Sequence, residues 1–293
     1  SLPDNLESIG GHAFINCSGL TGSLTIPEKI TEIPAYAFNG CGFTGTLNLP
    51  RGVEQIGECA FSNNGFKGEL NLPDGVSIIG NGAFESTLFN GTVVFPKELM
   101  SLGEGVFSGC WRLGGVVEIP ENIIAVPGFL FFNCSGIEGV RFHKGVEVVN
   151  AYAFCGCTGI NTLECEAKNP PVLHSETFSG VAKDNFTIEV PEASVTQYRN
   201  ASVWNEFRRF AAHRDFSVSR GLYRTLNAEC SKTFVLRASS GQAWSVESKP
   251  DWITVTPSSG TGKTEITVTF SEMSAADASQ ISVEMTHPTY AYQ

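Results

Sequence analysis

The stretch Leu24-Thr25-Ile26-Pro27-Glu28-Lys29-Ile30-Thr31-Glu32-Ile33-Pro34-Ala35-Tyr36-Ala37-Phe38-Asn39-Gly40-Cys41 is one copy of a pattern that recurs along most of the chain. Its most regular mark is a Phe, at Phe14, Phe38, Phe61, Phe84, Phe107, Phe131, Phe154 and Phe178, always 23 or 24 residues after the last. Eleven residues before each of the first six stands a Pro: Pro3, Pro27, Pro50, Pro73, Pro96 and Pro120. His143 takes that place in the seventh. Two apolar residues flank one position ahead of each Pro, as in Leu24 and Ile26, Leu47 and Leu49, Val117 and Ile119. Two more follow it, as in Ile30 and Ile33 or Val53 and Ile56. A Gly-rich connector carrying Leu or Phe closes the unit.

A coil of this length cannot bury its apolar side chains alone, but stacked coils bury them against each other. The L-x-L alternation predicts a short strand with two residues inward and one outward. Pro ends that strand, because it has no N–H to give to a ladder. The fold class is therefore mainly β: a solenoid of about eight coils, with a parallel sheet on one face. Leu2-Pro3 already stands at a strand end, so the first strand of that coil is missing and the chain is expected to be a fragment or a processed form.

The phrases Ile26-Pro27…Ile33…Ala37-Phe38…Cys41 and Leu49-Pro50…Ile56-Gly57…Ala60-Phe61 resemble the BspA-like class of leucine-rich repeats, over about residues 2–190. That resemblance implies a right-handed leucine-rich-repeat solenoid. It also implies a bacterial surface protein, since relatives include adhesins for host matrix proteins.

The pattern degrades after Cys157, and Ile188-Glu189-Val190-Pro191 restores the strand phrase once. Trp204, Phe207 and Phe210 lie three apart, which predicts one face of a short helix capping the last coil, within about 188–215. The closing VP…Y…W..F phrase resembles the ends of other BspA-like arrays.

From about Phe216 the texture changes. Phe234-Val235-Leu236, Trp244-Ser245-Val246, Trp252 to Val255, Ile266 to Phe270 and Ile281-Ser282-Val283 read as strands between Ser/Gly/Pro turns. They predict a small antiparallel β-sandwich over 216–293. Residues 243–270 resemble the BACON domain, an immunoglobulin-like module of gut bacterial surface proteins. The module is expected to be divergent or truncated at Gln293.

The 293 residues carry a net charge of −11 and are only 17% charged. Negative charge disfavours a nucleic-acid partner. No apolar run approaches the ~18 residues of a membrane span. The acidity belongs to the first domain, since residues 1–215 hold 13 basic and 23 acidic side chains.

No catalytic constellation stands out, and the chain reads as a non-enzyme with no cofactor. A glycoside hydrolase would need two placed carboxylates in a cleft, and a regular coil array offers none. Cys17, Cys41, Cys110, Cys134 and Cys157 all fall three residues after the recurring Phe, with Asn64 and Thr87 in the same slot elsewhere. A small side chain packed inside each coil accounts for them. Side chains running side by side suit a disulfide poorly, and no His shares a metal-ligand spacing with them, so no metal site is expected. Gly260-Thr261-Gly262-Lys263-Thr264 resembles the end of a phosphate-binding loop, but Pro257 stands where the leading Gly belongs and β-patterned sequence follows.

The best binding candidate is the outward column of the predicted strands: Thr25, Asn48, Asn71, Val94, Glu118, Arg141 and Glu164. Its neighbour column is Ser23, Thr46, Glu69, Thr92, Val116, Gly139 and Thr162. Regular coils would place these on one continuous surface, of the kind solenoids offer to partners. The columns hold no aromatic residue, so protein contacts fit them better than sugar stacking. The leading expectation is an extracellular, cell-surface binding protein or adhesin for a host or other extracellular protein, using Thr25, Asn48, Asn71, Glu118, Arg141 and Glu164. The alternative is glycan or mucin binding by the BACON-like domain, with Trp244 and Trp252 as platforms.

Overall fold

The computed structural model describes residues 2–212, 216–218, 230–238, 243–248, 253–270 and 284–286. The chain divides into two compact units, Ser1–His213 and Arg214–Gln293.

In the first unit the Phe column forms a stack. Successive ring centroids from Phe14 to Phe178 lie 5.1 to 5.8 Å apart, with ring planes 1° to 17° from parallel. Every ring from Phe61 to Phe178 is fully buried. Phe43, Phe66 and Phe89 from the connectors make a second stack at 5.4 and 5.8 Å, edge-on to the first. Offset-stacked and edge-to-face pairs are the favoured geometries of aromatic quadrupoles. Ile33, Ile56, Ile79, Val126 and Val149 line the same core.

A parallel ladder runs along the face predicted from L-x-L, but in two pieces. Leu24–Thr25 pairs with Leu47–Asn48. Gly115–Glu118, Ile137–Phe142, Thr162–Cys165, Thr187–Val190 and Arg209–Ala212 form a second, five-stranded piece. Residues 70–72 and 93–95 keep the L-x-L pattern yet form no strand. The continuous outward surface expected from the repeat is therefore interrupted at two coils. Leu113, Ile137 and Ile160 stand six residues after their ladder Phe and lead into the longer strands, whereas Phe43, Phe66 and Phe89 stand five after theirs and lead into a two-residue strand at Leu47–Asn48 or into none.

A second ladder, of two-residue strands, holds the other side of the coil. Glu32–Ile33, Gln55–Ile56, Ile78–Ile79 and Ser101–Leu102 form one piece. Ala125–Val126, Val148–Val149 and Val172–Leu173 form the other.

The A-F turns stack through backbone bonds as well, such as Phe61 N–H to the Ala83 carbonyl at 2.9 Å. Two left-handed residues frame each of these turns from Phe14 to Phe154, and one follows Phe178. Two before the Phe stand His12, Tyr36, Cys59, Gly82, Gly105, Phe129 and Tyr152, with φ between +49° and +61°. Two after it stand Asn16, Gly40, Asn63, Ser86, Gly109, Asn133, Gly156 and Gly180.

The last coil ends in the strand Thr187–Val190, the helix Val195–Asn200 and the strand Arg209–Ala212. The expected helical face of Trp204, Phe207 and Phe210 is not formed. Trp204 opens a single 3-10 turn, Phe207 is extended, and Phe210 lies in the final strand. The spacing of three arises across a bend, where each ring meets the core from a different backbone conformation. Trp204 and Phe207 are buried, and the Trp204 indole N–H donates to the Pro171 carbonyl at 2.8 Å.

In the second unit the described strands form two antiparallel sheets. One orders Phe216–Val218, Cys230–Ala238, Thr264–Phe270 and Ile253–Thr256. The other orders Ser259–Thr261, Ala243–Ser248 and Glu284–Thr286. No described helix is long and apolar enough to cross a membrane.

Candidate functional site

The outward column divides into three environments. At the N-terminal piece Thr25 and Asn48 are both exposed, and the Asn48 amide donates to the Thr25 hydroxyl at 3.1 Å. In the neighbour column the Thr46 N–H and hydroxyl both reach the Ser23 oxygen, at 3.0 and 3.1 Å. Ladders of short polar side chains like these satisfy each other while leaving acceptors for a partner.

The interruption between the two pieces forms the second environment. A groove of about 280 Å³ lies there, lined by Glu69, Asn71, Asp74, Thr92, Val94 and Phe95 among others. Asn71 is exposed, and Val94 is 72% exposed.

The third is the five-stranded piece, where Arg141 lies between two carboxylates. Its Nη1 donates to Glu118 Oε1 at 2.7 Å and its Nε to Glu164 Oε2 at 2.5 Å. Strand register puts the three side by side, Glu118 opposite Arg141 and Arg141 opposite Glu164. Burial works against the Arg141 charge, but Glu164 and Glu118 outweigh it and raise its pKa further. Coulomb attraction at this separation is several times stronger near a protein surface than in bulk water. The structure thus brings Glu118, Arg141 and Glu164 together as one ion-paired cluster on the five-stranded piece, while Thr25, Asn48 and Asn71 lie on other coils.

The cysteine slot has a role beyond its size. Cys41 donates to the carbonyl of Phe14 at 2.9 Å, Cys110 to Phe84 at 3.1 Å, Cys134 to Phe107 at 3.0 Å and Cys157 to Phe131 at 2.9 Å. Asn64 does the same for Phe38 at 2.7 Å. These five residues each donate to the Phe carbonyl of the coil before, whereas Thr87 donates to the Phe84 carbonyl of its own coil at 2.8 Å. The eight described cysteines are free thiols. Burial pushes Cys110 up to about 11 and Cys157 to about 12, and raises Cys134 well above its ordinary value. Such thiols are packing elements, not nucleophiles.

In the second unit Trp244 is only 2% exposed. Its ring lies against Gly260, where an added Cβ would come within 2.7 Å. The indole N–H faces the Thr264 hydroxyl at 3.4 Å. Trp244 is therefore closed to sugar stacking, a correction to its candidacy as a platform. Trp252, the other candidate, lies outside the described residues.

Residues 1–114 and 113–202 match the family model for the BspA type leucine rich repeat region, in six copies. The chain belongs to this family. Residues 215–286 match the model of the Viral BACON domain. A search of curated proteins finds no match. Among solved structures, a leucine-rich repeat protein from Bacteroides ovatus is similar at 20% identity and a TM-score of 0.52, over 72% of this chain and 60% of that one. A leucine-rich repeat protein from Eubacterium ventriosum aligns at 14% identity and a TM-score of 0.38, over 55% of this chain and 65% of that one. A leucine rich cell surface protein from Faecalibacterium prausnitzii aligns at 16% and 0.29, over 69% and 62%. This BspA-type chain spans under two thirds of each of these proteins. The Bacteroides structure shares its repeat-solenoid fold.

Two surface features of the BspA-type array were missed in the sequence. Trp111 is 51% exposed with the Arg112 guanidinium 4.9 Å from its ring. The left-handed column carries stacked aromatic pairs, His12 on Tyr36 at 4.9 Å and Phe129 on Tyr152 at 4.8 Å. The signal for the second lay in the repeat, two residues before each Phe, in a position whose residues share no chemistry.

Proposed function

We propose that this BspA-type chain is a non-catalytic binding protein, displayed outside a bacterial cell, that engages an extracellular or host protein through the strand face of its solenoid. The observation that carries the reading is the groove at the ladder interruption. Asn71 and the highly exposed Val94 line it, and Thr25 and Asn48 extend it toward the N-terminus as a polar, solvent-facing strip. Solenoids use such extended faces for protein partners, and a mixed apolar and polar lining suits a protein surface. Membership of the BspA-type family supports a surface location and a protein partner. Glu118, Arg141 and Glu164 would contribute as a rigid rim, because Arg141 already ties the two carboxylates together.

The test is an array of immobilised extracellular-matrix proteins probed with the full chain and with a variant carrying Thr25→Lys, Asn48→Lys, Asn71→Lys and Val94→Lys. These side chains are exposed, so the variant should melt within a few degrees of the parent. Binding to an array member is expected to fall at least about tenfold in the variant. Equal binding by both proteins would exclude this face, and a parent chain that binds no member would exclude matrix proteins as the partner class.

A further inference from the structure

The turn edge of the solenoid, a different surface from the strand face, carries a formed notch. The left-handed position two before the Phe holds Cys59 in the coil before the notch and the rings of Phe129 and Tyr152 in the coils after it. In the two coils between Cys59 and Phe129 it is Gly82 and Gly105, with φ of +58° and +61°. Removing two side chains from the column opens a cavity of about 260 Å³, bounded by Cys59 at one end and Phe129 at the other. Glu85 and Glu104 line it.

The chemistry of the lining is specific. Phe129 is 40% exposed and stacks one face on Tyr152. Phe132 braces it edge-on at 5.7 Å. Its opposite side looks along the column toward Gly105, whose added Cβ would sit 3.8 Å from the Phe129 Cβ. The notch therefore joins an aromatic face, braced from behind, to two carboxylates. An aromatic face attracts a cation through its quadrupole, and a carboxylate binds a guanidinium with short, charge-assisted bonds. The solenoid unit is itself acidic, which favours approach of a positive partner.

We propose that this notch receives a cationic side chain, an arginine or lysine, from a protein partner. The planar guanidinium fits best, since it stacks flat on Phe129 while its N–H groups reach Glu85 and Glu104. The glycines are part of the device: any larger residue at Gly105 fills the space the side chain needs. The aromatic wall distinguishes the site from a place for a bare metal ion, and among the described residues no group of three or more metal-ligating side chains forms.

The experiment is an NMR titration of the full chain into the capped tripeptide Gly-Arg-Gly, reading the arginine side-chain protons. The control is the same peptide with citrulline, which keeps the shape and removes the charge. The parent chain should broaden and shift the arginine signals, and leave citrulline at least about tenfold weaker, as loss of one charge-assisted pair implies. Glu85→Gln with Glu104→Gln should abolish the effect. Gly105→Asn, which tolerates the left-handed backbone and fills the notch, should abolish it while preserving the melting temperature. The proposal is overturned if the arginine and citrulline peptides respond alike, if either variant binds like the parent, or if no response appears at millimolar peptide. It is also overturned if calcium ions bind in the notch and the arginine peptide does not.

Discussion

The Cys134 thiol donates to the carbonyl of Phe107, one coil away, at 3.0 Å, with both groups inside the core. The same carbonyl accepts the Cys110 N–H at 3.1 Å, so the thiol fills its second acceptor site. Losing one of two hydrogen bonds to a buried carbonyl costs about 0.5–1.5 kcal/mol. Cys134→Ala should therefore lower stability by that amount in urea unfolding. Cys134→Ser keeps a donor and should lose less. An Ala variant as stable as the Ser variant would mean that only the volume of the slot matters.

The same thiols make the fold sensitive to alkali. Burial raises Cys110 and Cys157 from an ordinary value of 9.0 to about 11 and about 12. A group whose pKa is raised on folding gives its full stabilisation below the unfolded value and loses it as pH climbs toward the folded one. Stability should hold up to about pH 9 and then fall by about 1.4 kcal/mol per pH unit for each buried thiol. Urea midpoints at pH 8, 9.5 and 10.5 would show the slope. Cys110→Ser with Cys157→Ser should make it shallower, the remainder coming from Cys134 and Cys165, whose pKa values burial also raises, and a parent curve without a decline would refute the assignment.

The Glu118–Arg141–Glu164 cluster predicts an asymmetry. Arg141→Met keeps the apolar stem and strips the guanidinium from two carboxylates on flanking strands. Removing the shared cation should destabilise by about 1–3 kcal/mol. Adding Glu118→Gln and Glu164→Gln to that variant should recover most of the loss, because no like charges then face each other. The triple variant unfolding as early as the single one would show that the charges are not coupled.

These relationships mark where the sequence could be read and where it could not. The Phe stack was legible because one residue type recurs at one spacing, and nothing but stacking satisfies that. The outward positions were read as a partner surface, and the pairing of Glu118, Arg141 and Glu164 with one another emerged only with the strand register. The ladder interruption was not legible. Leu70-Asn71-Leu72 and Val93-Val94-Phe95 carry the strand pattern and follow the same five-residue connector as the strand Leu47–Asn48, so neither pattern nor connector length marks them out. The cysteine slot was read by size alone, although Asn64 and Thr87 in the same place share a donor group with Cys and not its hydrophobicity. The turn-edge column was hidden for a deeper reason. His12, Tyr36, Cys59, Gly82, Gly105, Phe129 and Tyr152 have only a backbone conformation in common, and φ is not written in side-chain chemistry.

In the sandwich unit, the fit of Trp244 over Gly260 gives the last prediction. A Cβ at Gly260 would come within 2.7 Å of the indole and 2.9 Å of its ring-fusion carbon. Neither the ring, buried between strands, nor the Gly260 backbone, paired with Trp244 itself, has room to withdraw. Gly260→Ala should therefore cost about 1–3 kcal/mol, the usual range for overpacking a core. Fluorescence from Trp244, isolated by replacing Trp111, Trp204 and Trp252 with Phe in parent and variant alike, would report it. The expected result is an earlier unfolding transition and a red-shifted emission as the indole is forced toward solvent. Trp244→Phe in the otherwise unaltered chain should leave any glycan binding by this unit unchanged, because a ring 2% exposed cannot stack on a sugar. Loss of such binding in that variant, with the fold intact, would reverse the conclusion and place Trp244 at a binding surface.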